Sequence, residues 1–204
     1  MNGHVKESGT IVAAHGRQYR VELASGEVLS CFTRGKKSDV ACGDRVDIAR
    51  SGDGQGVIDA IAPRQSLLYR SNAFRQKLIA ANVTQILIVV ATEPSFSDEL
   101  VTRCIVAAES QDLAVRILLN KCDLAAPLAA AEAQLRPFAQ LGYPILPLSA
   151  RQSVDTLRPL LEGHTSVLVG QSGMGKSTLT NALVPDAQAA TREISEALDS
   201  GKHT

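Results

Sequence analysis

One eight-residue segment, Gly170-Gln171-Ser172-Gly173-Met174-Gly175-Lys176-Ser177, constrains the fold of this chain more than any other. It fits G-x-x-x-x-G-K-[ST], which background composition would produce in a chain this long about once in a hundred. An apolar run from Ser166 to Val169 precedes it, and a helical stretch from Lys176 to Leu183 follows. Strand, glycine turn and helix in that order build an anion cradle. Gly170, Gly173 and Gly175 let the backbone curl so that its N–H groups, with those of Gln171, Ser172 and Met174, turn inward. The opening helix adds its positive end. Lys176 would pair with the β- and γ-phosphates of a nucleotide, the Ser177 hydroxyl would ligate Mg²⁺, and Thr178 can support the α-phosphate.

A phosphate loop does not identify the base. Asn120-Lys121-Cys122-Asp123 follows an apolar strand, Val115 to Leu119. Guanine presents N1–H and its 2-amino group as adjacent donors, which one carboxylate accepts together, so Asp123 is the natural discriminator. Lys121 can lay its stem over the purine, and Asn120 can tie this loop to the phosphate loop. Ser149-Ala150 stands just past a third strand, where its amides could meet guanine O6. An adenine-specific kinase or ATPase is the competing enzymatic reading. Asp123 argues against it, because adenine's exocyclic amine leaves that carboxylate unsatisfied.

Around these motifs the chain has two textures. Up to about residue 62 it reads as five short strands: Thr10–Ala14, Tyr19–Leu23, Glu27–Phe32, Arg45–Ala49 and Val57–Ile61, separated by turns such as Ser25-Gly26 and Ser51–Gly56. That spacing suits a small closed barrel, OB-like or SH3-like. Pro63 marks its exit. Beyond residue 66 strands and helices alternate, which implies parallel pairing in an α/β sandwich. Gln85 to Val90 is nearly all apolar, as a strand covered on both faces should be. Helices are predicted over Ser97–Ser110, over Pro127–Leu141 with a kink at Pro137, and over Val154–Leu161; Pro144–Leu148 and Ser166–Val169 complete the strands.

Composition excludes several classes. With 21 basic against 21 acidic side chains, the chain is not a globally basic nucleic-acid binder. At 45% hydrophobic it can bury a core. No apolar run reaches the ~18 residues of a membrane span, and the first residues lack a signal peptide's apolar middle, so a cytoplasmic protein is expected. Cys31, Cys42, Cys104 and Cys122 lie far apart without C-x-x-C spacing and read as reduced thiols.

The motif order is base loop, Ser-Ala, phosphate loop, whereas Ras-like GTPases present the phosphate loop first. With Ile-Leu-Ile-Val-Val-Ala-Thr-Glu-Pro-Ser-Phe, Asn-Lys-Cys-Asp-Leu and Gly-Gln-Ser-Gly-Met-Gly-Lys-Ser, the chain resembles the circularly permuted GTPases of the RsgA (YjeQ) type. Glu193-Ile194-Ser195 and Gly201-Lys202-His203-Thr204 resemble that family's switch I. The resemblance implies an N-terminal OB-fold over residues 1–65 that binds ribosomal RNA. Residues 66–204 would form a circularly permuted, incomplete α/β phosphate-loop GTPase domain.

It further implies GTP hydrolysis to GDP and phosphate with Mg²⁺, and a monomer acting in late assembly of the small ribosomal subunit, with hydrolysis linked to release. His203 matches a family histidine implicated in hydrolysis, and Thr204 the first switch threonine, a Mg²⁺ ligand. The family's D-x-P-G loop and zinc-binding C-terminal domain have no counterpart in these residues, so Zn²⁺ is not expected here. Asp199-Ser200-Gly201 is one residue too short to stand in for D-x-x-G. A truncated nucleotide- or RNA-binding module without turnover is the alternative. For RNA contact, Arg17, Arg20, Arg34, Lys36 and Lys37 offer a basic face, and Tyr19 or Phe32 a stacking surface.

Overall fold

The computed structural model describes residues 6–35, 39–71 and 76–184. The chain divides into two compact units, Met1–Val83 and Thr84–Thr204.

In the first unit five strands close into a barrel: β1 (Lys6–His15), β2 (Gln18–Leu23), β3 (Val28–Thr33), β4 (Arg45–Gly52) and β5 (Gln55–Ile61). Their order around the barrel is β1-β2-β3-β5-β4, with β1 closing on β4. One long strand serves two neighbours: Lys6–Thr10 pairs with β4 and Gly9–His15 with β2. Gly9 sits where the two pairings overlap, and a Cβ there would stand 2.6 Å from Val21 Cγ1. The sharp curl of the strand thus needs a residue without a side chain. Alternate residues point inward, so that Ile11, Tyr19, Val21, Leu29, Cys31, Val46, Ile48 and Ile58 form the core. Tyr19, at 2% exposure, belongs to that core and is closed to base stacking. Phe32 faces outward on β3.

Sequence periodicity missed a second sheet in this unit. The hairpin of β6 (Leu67–Ser71) and β7 (Gln76–Ala81) docks on the β3–β4 connection. Ala81 N–H donates to Cys42 O at 2.8 Å, and Asn82 Nδ2 donates to Gly43 O at 2.8 Å. Gly43 must be glycine: its φ is +88°, and a Cβ would fall 2.1 Å from Ala81 O. Beneath this contact Asp44, fully buried, accepts from Arg64 Nε at 2.7 Å and Nη2 at 2.8 Å, and from the Ala41 amide at 2.8 Å.

The second unit is a four-stranded parallel sheet ordered β10-β9-β8-β11. Its strands are β8 (Gln85–Ala91), β9 (Ala114–Asn120), β10 (Ile145–Pro147) and β11 (Ser166–Val169). Every residue of β8 is buried, as its apolar run requires of an inner strand. Pro147, which has no N–H for a ladder, lies on an edge strand. Helices α1 (Asp98–Glu109) and α2 (Ala125–Gln140) fill the β8–β9 and β9–β10 connections, and α3 (Lys176–Leu183) follows β11. Ser97 caps α1, its hydroxyl accepting from Leu100 N. Pro137 falls within α2, one turn from its end.

The helix expected over Val154–Leu161 does not form; a single 3₁₀ turn, Arg158–Leu160, takes its place. Pro159 carries no N–H to give the carbonyl four residues back, so the segment folds on i→i+3 bonds such as Leu157 N to Val154 O and Leu160 N to Leu157 O. Among the described residues no helix is long and apolar enough to cross a membrane.

Candidate functional site

Because all four strands of the second sheet are parallel, their C-terminal ends open on one edge, where α/β sheets bind ligands. Asn120–Asp123 leaves β9, Ser149-Ala150 follows β10, and Gly170–Gly175 links β11 to α3.

The phosphate loop is shaped by three left-handed or wide glycines. Gly170 (φ +152°) passes so close to β8 that a Cβ would stand 2.2 Å from Val89 O. Gly175 (φ +90°) caps α3, and a Cβ there would stand 2.2 Å from Asn120 Nδ2. Gly173 (φ +81°) runs past the Pro94 ring. Met174 anchors the loop through a buried side chain, whereas Ser172, Ser177 and Thr178 are exposed. Lys176 turns back over the loop, its Nζ donating to Gly170 O at 2.8 Å and Gln171 O at 2.7 Å. Partial burial lowers its pKa from the ordinary lysine value, so the ammonium sits where a nearby anion would be favoured. Gln171 Oε1 accepts from the Ser97 amide at 2.9 Å.

Asn120, 2% exposed at the end of β9, joins the three motifs. Its Nδ2 donates to Met174 O in the phosphate loop at 2.9 Å, and its Oδ1 accepts from Ala150 N at 3.0 Å. Both ends of the amide are therefore spent on loops 54 and 30 residues away. The Cys122 amide donates to Leu148 O, binding the base loop to the end of β10 a second time. Lys121 adopts φ +63°, and its Nζ donates to Glu93 O at 2.7 Å. Cys122 Sγ points to Leu119 O, and burial pushes its thiol up. Asp123 is exposed, and its carboxyl lies below the usual range. The neighbouring Ser149 hydroxyl is the main cause; Arg151 and Lys121 contribute charge. The carboxylate is thus kept ionised and faces solvent, as a purine acceptor needs.

His203 and Thr204 lie outside the described residues, as do Lys36 and Lys37. Arg34 pairs with Asp59 at 3.0 Å. Among the described residues no group of three His, Cys, Asp or Glu side chains could hold a metal ion. A shallow groove of about 320 Å³ between α2 and β9–β10, lined by Leu119, Leu135, Ile145 and Pro147 with Glu132 and Arg136, contains none of the motif side chains. Sequence reasoning missed Thr92 and Glu93, which contact the base loop from the end of β8. The segment that holds them, Ala91-Thr92-Glu93-Pro94, belongs to the family resemblance, but a threonine after an apolar strand gives by itself no sign of a contact with the base loop.

Residues 61–204 match the family model described as RsgA GTPase. The chain is 58% identical over 196 residues to the small ribosomal subunit biogenesis GTPase RsgA of Nitrosospira multiformis, covering 96% of this chain and 63% of that protein. It is 55% identical to the protein of the same name from Nitrosomonas europaea, covering 97% of this chain and 64% of that protein. The chain thus spans somewhat less than two thirds of the length of these relatives. Among solved structures, YjeQ from Thermotoga maritima is similar at a TM-score of 0.70 and 30% identity, over 89% of this chain and 66% of that one. YloQ, a circularly permuted GTPase, is similar at 0.65 and 28%, over 92% and 68%. A five-stranded OB-like barrel, then a parallel sheet whose base loop precedes its phosphate loop, joined by one asparagine and matched over most of the chain by these proteins, places the chain in the RsgA GTPase family, with the permuted order that its relatives share.

Proposed function

We propose that this chain binds guanine nucleotides and carries most of the machinery of a GTPase that converts GTP to GDP and phosphate. The observation that carries the reading is the double engagement of Asn120, which holds a carboxylate suited to guanine and a lysine suited to phosphate in one site. Asp123 accepts N1–H and the 2-amino group, the Lys121 stem covers the ring face, and Ser149-Ala150 meets O6. Lys176 and the amides of Gly170–Thr178 take the phosphates.

The donor set fits Mg²⁺. The exposed hydroxyl of Ser177 directly follows the lysine in the first turn of α3, and a magnesium ion commonly uses one or two protein oxygens with phosphate and water. When bound, the ion would neutralise charge on the β- and γ-phosphates. His203 and Thr204 are assigned, by resemblance, to hydrolysis and to the second magnesium contact.

The proposed partner is the small ribosomal subunit, during late assembly in the cytoplasm, with hydrolysis driving release of a monomeric protein. The names of the relatives support the subunit. Residues 1–65 would contact ribosomal RNA through exposed Arg17, Arg20 and Phe32, while residues 66–204 form the GTPase portion. Competition of GDP, GTP and ATP for a fluorescent guanine nucleotide tests the base assignment. Guanine nucleotides are expected to win by orders of magnitude, and equal affinities would end it. Phosphate release measured with and without small subunits then tests turnover.

A further inference from the structure

Thr92 lies just past β8, between Ala91 and Glu93, and is 6% exposed. Buried polar groups need partners, and both donors of this residue find theirs on consecutive carbonyls of the base loop. Its N–H donates to Asn120 O at 3.1 Å, and its Oγ1 donates to Lys121 O at 3.0 Å. The carbonyl of the next residue, Glu93, receives the Lys121 ammonium at 2.7 Å. Lys121 is therefore gripped at its main chain by Thr92 and at its side-chain tip by Glu93. It is also in the left-handed region, φ +63°, which a residue with a side chain keeps only where its surroundings hold it. Further along the same loop Ser97 N–H bonds Gln171 of the phosphate loop.

We propose that Thr92 is a positioning residue for base recognition: its hydroxyl holds the Lys121 carbonyl and thereby aims the loop that carries Asp123. The inference rests on the guanine-binding reading above and deepens it, since it makes selectivity depend on a side chain that touches no nucleotide.

The test is the dissociation constant of fluorescent GDP and ADP analogues for the wild type, Thr92→Val and Thr92→Ser. Valine keeps the shape and removes the donor; serine keeps the donor. T92V is expected to weaken GDP about fivefold, the cost of one hydrogen bond, while ADP affinity hardly changes. The GDP-to-ADP preference then falls, and T92S restores it. A wild type without preference removes the base assignment and this proposal together. A wild type that prefers GDP while T92V retains the full preference overturns the role of Thr92 alone. A parallel loss of both affinities, or an equal loss in T92S, also overturns it, because a merely structural residue would act that way. Should T92V lose its folded circular dichroism, Thr92→Ala replaces it in the same comparison: a fallen GDP-to-ADP preference supports the role, and a full one overturns it.

Discussion

Asn120 shows how much a single amide can organise. A carboxylate in its place could not donate to Met174 O, and an alanine would leave that carbonyl and the Ala150 N–H without partners. Asp123 has the opposite setting, exposed and held ionised by its neighbours. Its pH behaviour follows from the sign of that shift. A lowered carboxyl pKa means the ionised form is fully present above the ordinary carboxylate range and is lost only as pH falls through the lowered value. Guanine-over-adenine selectivity is therefore expected to be the same at pH 7 and pH 5, measured as the ratio of dissociation constants. Asp123→Asn, which replaces one acceptor oxygen by a donor, is expected to reduce that ratio roughly tenfold or more even at pH 7, through loss of the charge-assisted pair. A ratio unchanged by the substitution would mean that another group reads the base.

At the scale of elements, the junction of β11 and α3 depends on close approach more than on attraction. Gly175→Ala would set a methyl 2.2 Å from Asn120 Nδ2, at a φ of +90° that alanine resists. The strain and the lost Asn120 contact are expected to cost about 2–4 kcal/mol of stability, read by denaturant unfolding, with nucleotide affinity falling in parallel. Element prediction succeeded where one physical signal dominated. The apolar run of β8 and the glycine-to-helix switch at Lys176 were both legible, and α3 begins and ends where periodicity placed it. It failed over Val154–Leu161, where Pro159 broke an otherwise helical pattern, and at β6–β7, whose apolar residues are short runs without a tight turn signal.

At the scale of the whole molecule, each unit closes around its own buried polar device. In the first, Asp44 and Arg64 bind the chain leaving the barrel to the β3–β4 connection beneath the β6–β7 hairpin. Removing one member of a buried pair leaves the other charge uncompensated. Arg64→Ala is expected to cost about 3 kcal/mol, with amide-exchange protection lost first in β4, β5 and the hairpin. Uniform loss across the barrel would show that Arg64 contributes to global stability without a local role. In the second unit the Asn120 bridge has the corresponding place, at the C-terminal edge of the parallel sheet.

From residue types and spacing alone came a G-x-x-x-x-G-K-S turn between strand and helix, an acidic tetrapeptide after an apolar strand, the β-then-α/β organisation and the order of these motifs. These are local facts: a glycine pattern, a tetrapeptide after an apolar strand, a period of two giving way to alternation. Tertiary structure decided what is not local. It put Tyr19 inside the barrel and left Phe32 outside, docked a hairpin on Gly43, and brought Thr92 and Glu93 against Lys121. Hydrogen bonds between residues dozens of positions apart depend on strand order and register, which no short stretch of chain encodes by itself.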